Sequence, residues 1–114
     1  MKLVKEYEDL NDTLLHLKLQ VQESVDFADQ AMPDHVRDGK DLFAWLKSYV
    51  VYRDDPRGEE LFMTMRTMFT GEHTGERGAG DCDDFTIAAL ACLHVLGYSD
   101  LYIVLAGRKK AYPV

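Results

Sequence analysis

The run CDDFTIAALACLHVL at residues 82–96 constrains the architecture more than any other part of the chain. Wound as a helix, it is apolar around most of its circumference, and such a helix needs other elements packed on several sides. A chain of 114 residues has room for one compact domain with a modest core, so this helix belongs at its centre. Asp81 is placed to cap the helix, Asp83 and Asp84 complete its first turn, and Gly97 is a natural stop. LYIVLA at 101–106 follows as a continuous apolar run, the pattern of a strand buried on both faces. GRKK at 107–110 turns the chain, and AYPV begins a return strand. The expected architecture is α+β and helix-rich. The helix bearing Cys82 is expected to pack on a small, incomplete antiparallel sheet.

Upstream of that centre the pattern is mostly helical. In residues 11–32, Leu14, Leu17, Val21, Val25, Ala28 and Met32 recur at spacings of three and four, the signature of one helical face. Leu15, Leu17, Leu19 and Val21 also alternate with polar residues, as in a half-buried strand. Helix is the favoured reading because the second half of the segment has no strand character, but 11–22 stay open between the two. Pro33 ends the element. Leu42, Phe43, Leu46, Tyr49 and Val50 mark a second helical face over 39–51, with Trp45 beside it, and Leu61, Phe62, Met65 and Phe69 a short third. YRDDPRGEE at 52–60 reads as a turn. TGEHTGERGAG at 70–80 has four glycines and no large apolar residue, and reads as a mobile loop. The domain thus spans 1–114, with a helical part at 1–69, a glycine-rich loop at 70–80, and the central helix and sheet at 81–114.

Charge narrows the function classes. A formal net charge of −7, with GRKK as the sole basic cluster, disfavours a nucleic-acid partner, because phosphate binding depends on clustered Lys and Arg. No window approaches the ~18 apolar residues of a membrane span, and the charged N-terminus lacks the apolar core of a signal peptide. Two cysteines, Cys82 and Cys92, are too few for a disulfide framework. On one helix they stand roughly 15 Å apart, beyond disulfide reach. Reduced thiols fit a cytoplasmic protein.

The chemistry-bearing candidate is Cys82 within GAGDCDDF. At the first helical position its sulfur lies at the positive end of the helix dipole, among N–H groups that favour thiolate and can steady an oxyanion. Asp81, Asp83 and Asp84 cap the helix and support that geometry, yet their charges oppose thiolate formation. A proton acceptor is therefore required, and histidine is the usual one. His73, in the glycine-rich loop, is the candidate that can swing closest. His94 lies roughly 18 Å along the same helix, and His16 and His35 belong to or near the first long element. Three carboxylates also suit a hard cation, but capping explains their spacing more simply. No metal or cofactor is expected. Cys92 is expected to pack in the core, as are Met63, Met65 and Met68, with an adaptable methionine surface as the alternative.

GAGDCDDFTIAALACLHVLGY resembles the nucleophile segment of the transglutaminase-like cysteine peptidases, a branch of the papain-like proteins, and is most similar to the compact bacteriophage-encoded type. VVYRDDPRGEE, with Tyr52, Asp55, Pro56, Gly58 and Glu60, resembles the segment preceding the nucleophile there, so the resemblance runs from about Leu42 to Ala106. It implies a Cys–His–Asp triad acting on amide carbonyls through a thioester, with peptide or protein substrates and a bacterial-host or virion setting. Only Cys82 carries over. The family's histidine and acid come from strands after the helix, and the sequence printed above reaches Val114 about where the histidine strand would begin. Two functions follow as expectations. One is a transglutaminase-like peptidase or amidase with Cys82 as nucleophile and its base from His73, a neighbouring subunit or a further segment. The other is an inactive structural or interaction module, whose 101–106 strand edge pairs with the first segment or with another protein chain.

Overall fold

A computed structural model describes residues 10–53, 63–104 and 111–113. Four helices and two short two-stranded sheets follow in the order α1 (Leu10–Ala31), α2 (Gly39–Tyr49), β1 (Val51–Tyr52), α3 (Met65–Thr70), β2 (Ala79–Gly80), α4 (Cys82–Val95), β3 (Tyr102–Val104) and β4 (Ala111–Pro113). The class is α+β, and helix-rich.

The competition over the first segment ends in helix. Leu14, Leu17, Val21 and Ala28 are buried on one face of α1, while Leu15 and Leu19 are 56% and 48% exposed. Burying all four leucines and valines of the alternating pattern would have needed a strand; the helix turns two of them outward and gains a continuous apolar stripe instead. Ser24 falls within that stripe. Its hydroxyl donates to the Gln20 carbonyl at 2.7 Å and accepts the Met65 N–H at 2.9 Å, so the buried oxygen ties α1 to the start of α3.

α4 is the centre of the domain and packs chiefly on α1, then on α2 and α3. Ile87, Ala88, Leu90, Ala91 and Cys92 are buried along it, and each large aliphatic side chain so enclosed contributes about 1.5–3 kcal/mol. Its C-terminus closes in a Schellman arrangement: the Gly97 N–H donates to the His94 carbonyl and the Tyr98 N–H to that of Leu93, with Gly97 at φ 96°. Met65 and Met68, from α3, are fully enclosed against this core, so the methionines fill space rather than present a surface. Phe43 and Tyr49 depart from the expected core face of α2. Phe43 is 57% exposed, and Tyr49, though stacked on Phe69 at 4.3 Å, keeps one side in solvent.

The sheet differs from expectation in one respect. An antiparallel pair is present, with Tyr102 opposite Pro113, Ile103 opposite Tyr112 and Val104 opposite Ala111; the GRKK turn and residues 105–106 lie outside the described residues. The bed of α4, however, is helical, and the sheet at its N-terminus is a parallel pair, Val51 opposite Ala79 and Tyr52 opposite Gly80. Residues 70–80 are therefore not loop throughout. Ala79 and Gly80 are buried and extended, because the chain must run straight to deliver Asp81 to the helix start, and Gly78, buried at φ 77°, turns the chain into them. The turn from 52 to 60 likewise begins as strand at Tyr52, with residues 54–60 outside the described set. No helix among the described residues is long and apolar enough to cross a membrane.

Candidate functional site

The start of α4 is assembled by two of the three aspartates. One oxygen of Asp81 accepts the N–H groups of Asp83 and Asp84 at 3.1 and 3.3 Å, and Asp84 Oδ2 accepts the Asp81 N–H at 3.0 Å, a reciprocal capping box. The other oxygen of Asp84 accepts the Met63 N–H at 2.8 Å. Asp84 is wholly buried and Asp81 nearly so. The carboxylates thus hold backbone in place rather than facing a substrate. The amides of Asp83 and Asp84 both donate to Asp81, the helix cap. The Cys82 amide lies at the first position of the helix, beside its own sulfur.

Cys82 follows the cap and is exposed. Gly80 permits this placement, since a Cβ there would lie 2.6 Å from Met68 Sδ and 2.9 Å from Asp84 Cβ. The Gly80 carbonyl accepts the Arg53 N–H at 2.8 Å, which fixes β1 beside the sulfur. The result is a cleft of about 290 Å3. Gly80, Asp81 and Cys82 form one end, Phe85 and Thr86 continue it one turn along α4, and Lys47, Val50 and Tyr52 close it from α2 and β1. Thr86 Oγ1 donates to the Cys82 carbonyl at 2.8 Å. Phe85 and Thr86 are legible as helical neighbours of Cys82 at three and four residues. The wall from α2 and β1 is not, because a two-residue strand leaves no periodic trace.

The thiol pKa is raised. Burial of part of the group is the largest cause, followed by the negative charges of Asp83 and Asp81, while hydrogen bonds from the Cys82 and Asp83 amides pull the other way and lose. The sulfur is consequently a protonated thiol at neutral pH. None of the four histidines lines its cleft. His73 is exposed in the turn after α3, His35 is exposed between α1 and α2, and His16 lies 3.4 Å from Gln20 on α1. His94 sits at the far end of α4, on a separate cavity of about 440 Å3. Cys92 is enclosed, its thiol 3.8 Å from Met65 Sδ and its pKa pushed up to about 12 by burial. No three of His, Cys, Asp or Glu among the described residues are grouped to hold a metal ion.

Comparison with protein-family models, with curated proteins and with solved structures found no match to this chain.

Proposed function

We propose that the chain carries the nucleophile half of a transglutaminase-like cysteine peptidase or amidase, with Cys82 as the attacking residue. What supports the reading above all is the placing of an exposed thiol at the capped start of the central helix, open to an apolar cleft, in a segment resembling that family's nucleophile run. The step is addition of the Cys82 thiolate to the carbonyl carbon of a peptide or glutamine carboxamide. Collapse breaks the C–N bond, the amine leaves with a proton, and the resulting thioester passes its acyl group to water or to a second amine. The Cys82 amide steadies the oxyanion. The proton acceptor is an imidazole delivered to the cleft by another chain or a further segment, in a bacteriophage-type protein of the host cytoplasm or the virion.

The raised thiol pKa and the distance of all four histidines from the cleft favour a second reading, an interaction module that keeps the family's helical centre without its chemistry. Hydroxamate formation separates the two. With a glutamine-containing peptide and hydroxylamine, added imidazole at tens of millimolar should raise hydroxamate yield in the wild type and not in Cys82→Ala. Equal yields from both chains at every imidazole concentration would leave only the interaction module.

A further inference from the structure

The cleft is lined by a lysine, Lys47, that the acyl-transfer reading leaves unused. Lys47 stands in the last turn of α2, one helical turn after Phe43, and its ammonium lies 5.7 Å from the centre of the Phe43 ring. Phe43 in turn meets Phe85 edge-on at 6.3 Å. The aromatic pair joins α2 to α4 beside Lys47, and Lys47 lines the cleft together with Cys82. The lining that Lys47 and Cys82 share includes the apolar Val50 and Phe85. The other charged residue of the lining, Asp81, directs one oxygen at two amides of its own helix.

From this geometry we infer that the cleft selects peptides presenting an apolar side chain beside a carboxylate, and that Lys47 is the specificity-determining residue. The inference rests on Cys82 being the reactive centre as proposed above. A volume of about 290 Å3 suits a single side chain, not a drug-sized ligand. The apolar side chain would lie on Phe85 and Val50, the attacked carbonyl at Cys82, and the acid at Lys47. Selection must act at contact. The chain's net charge of −7 repels anions from afar, but that field is screened beyond about 8 Å at physiological ionic strength, whereas an ammonium at the cleft wall meets its partner inside that range.

The test uses the full chain and three haloacetamides with one aromatic side chain: N-iodoacetyl-phenylalanine, its neutral amide, and its aminoethyl amide, which is cationic. Rates of Cys82 modification, read by mass spectrometry of the intact chain and its peptides, are normalised to the rate of each probe with free cysteine. The anionic probe should react about three- to five-fold faster than the cationic one, the scale of an exposed ion pair. Lys47→Met should lower the ratio and Lys47→Glu should lower it further. Equal ratios in the wild type and Lys47→Met overturn the inference. Hydroxamate formation together with a flat charge ratio sinks this inference alone. A charge preference without any hydroxamate sinks the acyl-transfer chemistry and leaves the preference of the cleft standing.

Discussion

Replacing Asp84 with alanine should cost about 3 kcal/mol of folding stability. The side chain is fully enclosed and accepts two amides, those of Met63 at 2.8 Å and Asp81 at 3.0 Å. Alanine leaves both donors buried without a partner, at about 1–3 kcal/mol each. Part of that sum is offset because a carboxylate no longer has to be stripped of water. A small domain holds about 5–15 kcal/mol in total, so the loss would move the urea midpoint well outside experimental scatter. Asp84→Asn keeps one carbonyl acceptor but turns an amino group toward the second N–H, and should cost about 2 kcal/mol. Asp83→Ala, which removes a first-turn charge, should cost less than about 1 kcal/mol. Equilibrium urea unfolding followed by circular dichroism at 222 nm, with the denaturant slope held common, orders the three variants. A loss below about 1 kcal/mol for Asp84→Ala would refute the view that this carboxylate clamps the helix start.

Two further outcomes are open to direct measurement. Alkylation of Cys82 by iodoacetamide should rise with pH through a midpoint above the ordinary 9.0, since burial, Asp83 and Asp81 all favour the protonated thiol; Asp83→Asn removes a negative charge and should lower that midpoint, and a wild-type midpoint at or below 9.0 would contradict the assigned causes. Gly80→Ala should destabilise the domain by about 1–3 kcal/mol, because its Cβ meets Met68 Sδ at 2.6 Å and Asp84 Cβ at 2.9 Å, whereas Gly75→Ala meets nothing within 4 Å and should show only the strain of a positive φ in the same thermal or urea melt.

How much of this was readable beforehand depended on period and on length. α4 was visible because an all-round apolar run has one destination, and its cap because Asp81 and Asp84 stand at capping-box spacing. α1 was visible once its second half was weighed, and the exposure of Leu15 and Leu19 shows why the strand pattern there carried no weight in the fold. β1 and β2 were hidden because two residues cannot display alternation, and because Ala79 and Gly80 have no side chain large enough to announce burial. Of the site, the position of Cys82 was legible and its protonation only in part: the opposing aspartates were evident, but the burial that leads the shift depends on Lys47, Val50 and Tyr52 arriving from elsewhere in the chain. Asp84 was legible as a first-turn acid, but not the return of Met63 to its second oxygen.

The two hydrogen bonds that anchor backbone amides at the front of α4 also have a bearing on how the chain tolerates change. Arg53 is tied to Gly80 and Met63 to Asp84, so residues 54–62 depart from and rejoin one small clasp. Lengthening the connection between those two anchor points need not disturb the helices behind it, since doubling a closed loop adds only about 0.6 kcal/mol. Insertions that would wreck the interior if placed in α1 or α4 have a natural harbour between those two anchors.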